Sequence, residues 1–201
     1  MYNEIYDKEN TMRVISGKAR GKKLIAPQGL HTRPVTDQIK EALFNSWQFK
    51  INGCRFLDCF AGSGSMGIEA ISRNASYTVF IDNDSNAIQT IQENIKGCHF
   101  DSHSYSIFQK DILQALPSLD QMNEPFDIIY LDPPYTVDEI FIPVMETIGK
   151  TSLLKEDGIL AIRTKKEKEL ADVFYNLKKV KQKKYGISMV HFYKRIQNEN
   201  D

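Results

Sequence analysis

Residues 55–67 read RFLDCFAGSGSMG, and this stretch decides the fold. A short apolar strand, Arg55–Asp58, runs into a turn that holds Gly62, Gly64 and Gly67, and the turn opens a helix. Glycine lets a backbone turn tightly and approach a ligand without a Cβ in the way. The order strand, glycine-rich turn, helix predicts a nucleotide-cofactor site at the edge of a parallel α/β sheet.

The acidic residues around this turn narrow the class of cofactor. Asp58 stands four residues before Gly62, where a dinucleotide site would favour uncharged N–H groups to receive pyrophosphate. Asp82 and Asn83 follow the next predicted strand, Tyr77–Ile81, and a carboxylate there can accept both ribose hydroxyls of a nucleoside. Asp111, with Ile112 beside it, is either an adenine contact or a turn residue. These positions predict a nucleoside-containing ligand with a cationic part.

Strands and helices alternate through the rest of the chain, which indicates a parallel sheet covered on both faces. A hairpin over 12–26 and a helix over 37–50, with Thr36 as its N-cap, come first. Later strands are predicted at 105–109, 127–131 and 158–163, later helices at 85–96, 137–150 and 165–178, and a closing hairpin at 180–185 and 187–194.

Composition and length bound the possibilities. The chain has 201 residues, of which 41% are hydrophobic and 26% are charged, and this predicts a soluble domain with a substantial core. No apolar run approaches the roughly 18–20 residues that span a bilayer. Three cysteines without a C-x-x-C pair and four histidines without ligand spacing predict no metal site. We expect a cytoplasmic protein without a membrane partner.

Charge is segregated along the chain although its net value is zero. Residues 12–36 carry six basic side chains and no acid, and residues 163–184 carry nine basic and three acidic ones. The middle, 37–162, is acidic. This pattern is typical either of solvated lysine-rich faces or of a protein that binds a polyanion at its rim and a cation at its centre.

The strongest chemical signal is Asp132-Pro133-Pro134-Tyr135, directly after the apolar strand 127–131. Two prolines stiffen the turn and remove two backbone donors, so its carbonyl groups stay available as acceptors. An Asp132 carboxylate and a Pro133 carbonyl can each accept an N–H of an exocyclic base amine, which frees the nitrogen lone pair for methylation. Tyr135 offers a face on which the base stacks.

These residues carry a resemblance to a known family. Asp58–Gly67 resembles motif I of class I S-adenosylmethionine-dependent methyltransferases, and Asp132–Tyr135 resembles their amino-methylation motif. From about Met12 to Arg195 the chain is similar to the RsmD family of bacterial 16S rRNA guanine-N2 methyltransferases. The match includes MRVISGKARGKKL at 12–24, TRPVTDQIKEALFN at 32–45, FLDCFAGSGSMGIEA at 56–70 and KKYGISMVHFYK at 183–194. The first two stretches are much more specific than the glycine-rich turn.

The resemblance implies a class I methyltransferase, Rossmann-like seven-stranded sheet with its last strand antiparallel. It implies an RNA-binding N-terminal hairpin and helix extension over 1–50 and a methyltransferase domain over 51–201. The cofactor would be S-adenosyl-L-methionine and the substrate the N2 amine of a guanine in 16S rRNA, within a partly assembled small ribosomal subunit. We expect a monomer.

Candidate residues follow for each role. Catalysis is assigned to Asp132, Pro133, Pro134 and Tyr135. Cofactor binding is assigned to Thr36, Asn45, Asp58, Phe60, Ala61, Gly62, Gly64, Asp82, Asn83, Asp111 and Ile112. RNA phosphates are assigned to Lys18, Arg20, Lys22, Lys23, Arg33, Arg163 and Lys165.

Three alternatives remain open at this point. The same Asp-Pro-Pro-Tyr chemistry suits an adenine-N6 or cytosine-N4 methyltransferase acting on DNA, although 201 residues leave no room for a separate target-recognition domain. A non-catalytic RNA-binding assembly factor on the same fold would not need all of Asp58, Gly62, Gly64 and residues 132–135. A nicotinamide-dependent oxidoreductase would leave the double proline unexplained.

Overall fold

The computed structural model describes residues 12–27, 35–134 and 137–196, and within them the chain forms one eight-stranded sheet flanked by five helices. The strands are β1 (Arg55–Cys59), β2 (Tyr77–Asp82), β3 (Tyr105–Gln109), β4 (Phe126–Leu131), β5 (Leu154–Lys165), β6 (Val173–Phe174), β7 (Leu177–Tyr185) and β8 (Ser188–Arg195). The helices are α1 (Asp37–Ser46), α2 (Ser65–Ser72), α3 (Ser85–Cys98), α4 (Ile112–Asp120) and α5 (Phe141–Lys150). Single 3₁₀ turns cover Ser102–Ser104 and Asp138–Ile140.

The strand order is β3-β2-β1-β4-β5-β8-β7-β6. Strands β1 to β5 are mutually parallel, and β8 inserts antiparallel between β5 and β7. The fold is therefore the class I methyltransferase fold, as expected. The eighth strand, beyond the seven predicted, is the two-residue β6 at the outer edge. Strands β1 to β5 and β7 all end at one edge, here called the carboxyl edge, where open α/β sheets bind ligands.

Alternating side chains on the central strands build a core on each face of the sheet. In β4, Ile128 and Tyr130 pack with α1 and α2, whereas Ile129 and Leu131 pack with α4 and α5. Such near-continuous apolar strands are typical of a parallel sheet that is covered on both sides. The buried faces fix the register, so the residue that follows each strand is held firmly at the carboxyl edge.

The helix predicted over 165–178 is wrong. Lys165 ends β5, and β6 and β7 form a hairpin in which Phe174 lies opposite Leu177. Lysine, glutamate and leucine favour a helix locally, but Leu170, Phe174 and Leu177 are buried in the core of the α5 face. Tertiary packing therefore overrides local propensity here. The closing hairpin, β7 and β8, agrees with the prediction.

The N-terminal segment packs tightly against α2 and α3. Its two arms join in a single antiparallel bridge, Arg13 with Lys23, rather than in regular strands. The buried carboxylate of Glu69 accepts hydrogen bonds from the N–H groups of Ile15 and Ser16 at 2.7 and 3.0 Å. Met12, Val14 and Leu24 share a core with α2, β2 and α3. The extension is therefore an integral part of the packed structure.

Helix α1 begins as predicted and ends earlier. Thr36 is its N-cap and accepts a hydrogen bond from the Ile39 N–H. The predicted end at Lys50 is wrong, because the helix stops at Ser46 and residues 47–50 form a turn. Among the helices in the described ranges, none combines the length and the apolar character that crossing a bilayer requires.

Candidate active site

Two loops meet at the centre of the carboxyl edge. Strands β1 and β4 are neighbours with Cys59 opposite Leu131, so the glycine-rich turn and the Asp-Pro-Pro turn leave the sheet side by side. The Asp132 N–H donates to the Cys59 carbonyl at 3.3 Å, which links the two turns directly. The structure thus brings together the two motifs that the sequence separates by about seventy residues.

The glycine-rich turn is held by its neighbour β2. Gly62 and Gly64 have φ values of +55° and +74°, in the left-handed region that favours glycine. The Gly62 N–H donates to Oδ2 of Asp82 at 2.8 Å, and the Asp84 N–H donates to Oδ1 at 3.0 Å. A Cβ built on Gly62 would meet no atom within 4 Å, so this backbone faces open space. Asp82 therefore shapes the loop. The place at the carboxyl edge where Asp58, Asp82 and the glycine-rich turn meet is here called the crevice.

Two carboxylates in the crevice, Asp58 and Asp82, have no cationic partner among the residues that the structure describes. Asp58 is 1% exposed, and its Oδ2 accepts from the Gly67 N–H at 2.8 Å. Burial raises the pKa of Asp58 well above its ordinary value, and the charges of Asp132 and Asp82 add to this effect. Burial likewise raises the pKa of Asp82. Within the described residues no lysine or arginine forms an ion pair with either carboxylate, so the crevice is suited to a cationic ligand.

The other predicted cofactor residues follow strands that end at the same edge, and they differ in burial and in hydrogen bonding. Phe60 has a φ of +59°, a strained value for an aromatic residue, and its ring packs against the α5-side core. Ala61 is buried and donates from its N–H to the Ile81 carbonyl. Asn83 is exposed directly after β2. Asp111 is the N-cap of α4 and accepts from the Leu113 N–H at 2.9 Å, and Ile112 behind it is buried.

The structure does not bring Thr36 and Asn45 together. Thr36 lies at the start of α1, beside Arg163 and Ser188 at the carboxyl edge. Asn45 is exposed in the last turn of the same helix, nine residues further, which corresponds to roughly 13 Å along the axis. Of the two, only Thr36 therefore lies at the carboxyl edge, beside Arg163.

Asp132 is held by an arginine. Arg163 Nε donates to Oδ1 and Nη2 donates to Oδ2, each at 2.8 Å, and the Arg163 and Asp132 side chains are only 7% and 15% exposed. The Tyr130 hydroxyl lies 3.4 Å from Oδ2. A bidentate pair fixes the plane of the carboxylate. Oδ2 accepts from Arg163 and from Tyr130, whereas Oδ1 accepts, among the described residues, only from Arg163 and keeps a further lone pair for another donor. Arg163, expected among the phosphate-binding residues, is instead buried against the Asp-Pro-Pro turn.

A cleft of about 190 Å³ opens next to this pair. It is lined by Thr36, Gln38, Ile39, Arg163 and residues 185–188 of the β7–β8 turn. Pro133 is buried and Pro134 is half-buried on the other side of Asp132, and the Pro134 carbonyl accepts from the Val137 N–H. Tyr135 lies outside the described residues. Arg163, which holds the Asp132 carboxylate, lines the cleft, and the β7–β8 turn forms its other side.

The predicted RNA-binding residues are not gathered at one place. Lys18, Arg20, Lys22 and Lys23 are exposed on the N-terminal hairpin. The Lys18 N–H donates to the carbonyl of Ser72, the last residue of α2, so the hairpin tip lies roughly 12 Å from the carboxyl edge. Lys165 is exposed beside a second cleft with Asp138 and Lys168, and Arg33 lies outside the described residues.

Sequence reasoning missed two buried pairs. Arg163 and Asp132 were assigned separate roles, although Asp132 directly follows β4 and Arg163 lies in the neighbouring β5. The register that sets Leu131 opposite Ile162 is the signal that predicts their contact. Lys40 is 1% exposed and donates to the Arg13 carbonyl at 2.6 Å, with Glu69 at 3.7 Å. An isolated lysine on the apolar stripe of α1 was the available signal for this second pair.

Comparison with known proteins agrees with this geometry. The family model described as conserved hypothetical protein 95 matches residues 12–194. YlbH of Bacillus subtilis (strain 168), named as an rRNA methyltransferase, is 37% identical over 184 residues, which cover 92% of this chain and 99% of that protein. Ribosomal RNA small subunit methyltransferase D of Escherichia coli (strain K12) is 31% identical over 193 residues, covering 94% of this chain and 93% of that protein.

A solved structure shows the same architecture. The methyltransferase yhhF from Escherichia coli has a TM-score of 0.78 and 28% identity, with 92% of this chain and 98% of that chain covered. Fold, paired motifs and full-length similarity all point the same way, and the chain belongs to the RsmD family, the family of the ribosomal RNA small subunit methyltransferase D proteins.

Proposed function

We propose that this protein transfers a methyl group from S-adenosylmethionine to the exocyclic N2 amine of a guanine in 16S rRNA of the small ribosomal subunit. The observation that carries the proposal is the contact between the two turns, in which Asp132 lies beside the crevice of Asp58 and Asp82. The names of the RsmD relatives support rRNA as the substrate.

The crevice fits this cofactor. S-adenosylmethionine, when bound, supplies a methyl carbon activated by a positively charged sulfur. Asp58 is buried without a cationic partner among the described residues, and a cationic ligand would balance its charge. Asp82 uses one acceptor site on each oxygen for Gly62 and Asp84, and its remaining lone pairs are available to ribose hydroxyls.

Asp132 and Pro133 act on the amine. A carboxylate and a carbonyl that accept the two N–H groups draw the nitrogen out of conjugation with the ring, and these hydrogen bonds strengthen as positive charge develops on nitrogen. The N–C bond forms as the S–C bond breaks, and the surplus proton leaves the nitrogen for water. Arg163 is a positioning residue, because it holds the Asp132 carboxylate in one plane through both oxygens.

The substrate base has to be accessible. An exocyclic amine in a helical RNA cannot reach the buried turn, so the guanine is unpaired or flipped out of its stack when it reacts. A partly assembled subunit as the substrate, and a monomeric enzyme, stay predictions.

Methyl transfer from labelled S-adenosylmethionine to small subunits from cells lacking the enzyme tests the proposal. We expect the label in N2-methylguanosine after digestion of the RNA. Asp132→Ala should lower turnover at least about a hundredfold, because it removes one amine acceptor, while S-adenosylmethionine affinity stays within a few-fold. Asp157→Ala, at an exposed pair with Lys50, is the matched control and should leave turnover unchanged.

Two results would contradict the proposal, one for the substrate base and one for the role of Asp132. Label on adenine, on cytosine or on DNA would favour the alternative amino-methyltransferases. Loss of S-adenosylmethionine binding in Asp132→Ala, with unchanged folding, would move Asp132 from the amine site to the cofactor site.

A further inference from the structure

Strand β7 is rich in lysine. Neither the glycine-rich turn nor the Asp-Pro-Pro-Tyr motif accounts for these lysines. Residues 177–186 contain Lys178, Lys179, Lys181, Lys183 and Lys184 and no acid. On its inner side β7 pairs with β8 along its whole length. On its outer side the short β6 reaches only Lys178, and beyond Lys179 the described residues place no strand beside it. Lys181, Lys183 and Lys184 are exposed there.

This edge leads to the reacting turn. Strand β8 is antiparallel to both β5 and β7, so β7 runs in the direction of β5 and its last residues reach the carboxyl edge. Tyr185 and Ile187, which follow the lysines, line the cleft that contains Arg163, the partner of Asp132. The lysines of β7 therefore lead to the cleft beside Arg163, the residue that holds Asp132.

The surface has the character of a binding site for a nucleic-acid strand. Lysine on an edge strand is a known protection against pairing with another chain. Here Lys183 lies opposite Val190 and Lys184 opposite Met189, so exposed lysines project from both faces of the strand end. Ile187 at the tip is 55% exposed, which leaves an apolar group at the mouth of the cleft.

We propose that the turn of the β7–β8 hairpin, which lies at the carboxyl edge of the sheet, binds the RNA strand that flanks the target nucleotide, with Lys183 and Lys184 on its phosphates. This inference rests on the proposed function and adds a surface that the N-terminal hairpin, with its tip at the far end of α2, does not supply. Phosphate contacts at this place would set the register of the strand and direct one base into the cleft.

The hairpin itself provides a matched control. Lys178 and Lys194 lie opposite each other at its other end and are exposed. Six residues separate Lys178 from Lys184, which corresponds to roughly 20 Å along the strand. The variants Lys183→Glu/Lys184→Glu and Lys178→Glu/Lys194→Glu therefore make the same change in charge within one hairpin and differ in distance from the cleft.

Binding to small subunits from cells lacking the enzyme is measured at several salt concentrations, with S-adenosylmethionine affinity measured in parallel. For Lys183→Glu/Lys184→Glu we expect at least about a tenfold loss of affinity and a salt slope shallower by about 1.5 to 2, because two phosphate contacts are lost. Lys178→Glu/Lys194→Glu should change affinity less than about threefold by the same rule. Both variants should bind S-adenosylmethionine as the wild type does.

Equal losses in the two variants, or no loss in either, would overturn the inference. This binding measurement is independent of methyl transfer. Wild-type protein that methylates guanine while both variants bind normally would refute the hairpin surface and leave the proposed function intact. Wild-type protein that methylates no RNA would refute the function, whereas the binding comparison would still decide whether the hairpin contacts RNA.

Discussion

Asp58 is a buried acid, and among the described residues no lysine or arginine balances the charge of its ionised form. Burial raises its pKa, so in the folded protein the carboxyl binds its proton more tightly than in the unfolded chain. The stability that this proton contributes is fully present below the unfolded pKa of about 3.9. It is lost as pH rises through the higher folded pKa.

We therefore predict that Asp58→Asn stabilises the ligand-free protein, and increasingly so as pH rises. Asparagine still accepts the Gly67 N–H through its carbonyl and carries no charge to bury. Thermal unfolding between pH 5 and 8 should show a growing difference in Tm, by roughly 2–4 °C for each kcal/mol recovered. S-adenosylmethionine affinity should fall, because the counter-charge is gone.

Asp157→Asn is the control with the opposite sign. Lys50 lowers the pKa of Asp157, so its small contribution is present above the unfolded pKa and is lost only as pH falls through the folded one. Its Tm difference should stay flat from pH 5 to 8. If the Tm of Asp58→Asn and the Tm of the wild type change in parallel between pH 5 and 8, ionisation of Asp58 does not destabilise the folded protein and the prediction is wrong.

Arg163 shows which site residues the sequence could and could not predict. The acids at the ends of β1, β2 and β4 were identified because each follows an apolar run, and that signal is local. Arg163 also follows such a run, but its role depends on the register that sets Leu131 opposite Ile162. A basic residue in a basic segment was read as a phosphate contact because its partner lies 31 residues away.

At the scale of elements, the packing of α2 on β2 depends on Gly67. A Cβ built on Gly67 would lie 2.2 Å from Cε1 of Phe80, and Phe80 is completely buried. The third glycine of the motif therefore serves close helix–strand packing, whereas Gly62 and Gly64 serve the shape of the turn. The sequence motif alone does not separate these two tasks.

We predict that Gly67→Ala destabilises the protein by roughly 1–3 kcal/mol, the usual effect of overpacking a core. Thermal or urea unfolding measures the loss. In Gly67→Ala/Phe80→Leu the smaller side chain makes room for the methyl group, so the double variant should be more stable than the sum of the two single changes predicts. Additive effects would mean that the methyl group is accommodated elsewhere.

The elements that sequence patterns predicted well are those with a strong local period. Strands β1 to β4 and helix α3 were predicted within one or two residues because apolar runs and caps mark their ends. The segment 165–178 was not, because its strand pairing is decided by the burial of Leu170 and Phe174 against distant elements. A two-residue strand such as β6 has no periodicity to detect.

At the scale of the whole molecule, the N-terminal hairpin is joined to α2 and α3 by hydrogen bonds from its backbone N–H groups. Gly17 and Gly21 both have a φ of +83°, yet only Gly17 is closely packed: a Cβ on Gly17 would overlap the Ser72 carbonyl, while a Cβ on Gly21 would meet nothing within 4 Å. Substitutions at the two glycines therefore distinguish the cost of backbone strain, which both share, from the cost of losing the contact with α2, which applies only to Gly17.

We predict that Gly17→Ala loosens the hairpin and that Gly21→Ala does not. Both carry a similar cost for alanine at positive φ, about 1 kcal/mol, and only the first also breaks the contact with α2. Hydrogen exchange of the amides of residues 14–24 should quicken much more in Gly17→Ala, with a larger drop in Tm. Equal exchange in the two variants would show that the hairpin is held by its side chains alone.

The acceptors for the hairpin, Glu69, Ser72 and Asn94, lie between 53 and 69 residues downstream of the groups that bind to them. During synthesis this arm precedes α2 and α3, so the surface on which it docks is complete only after α3 has been made. A nascent chain halted before α3 is complete would therefore still expose apolar surface of Met12, Val14 and Leu24 to chaperones.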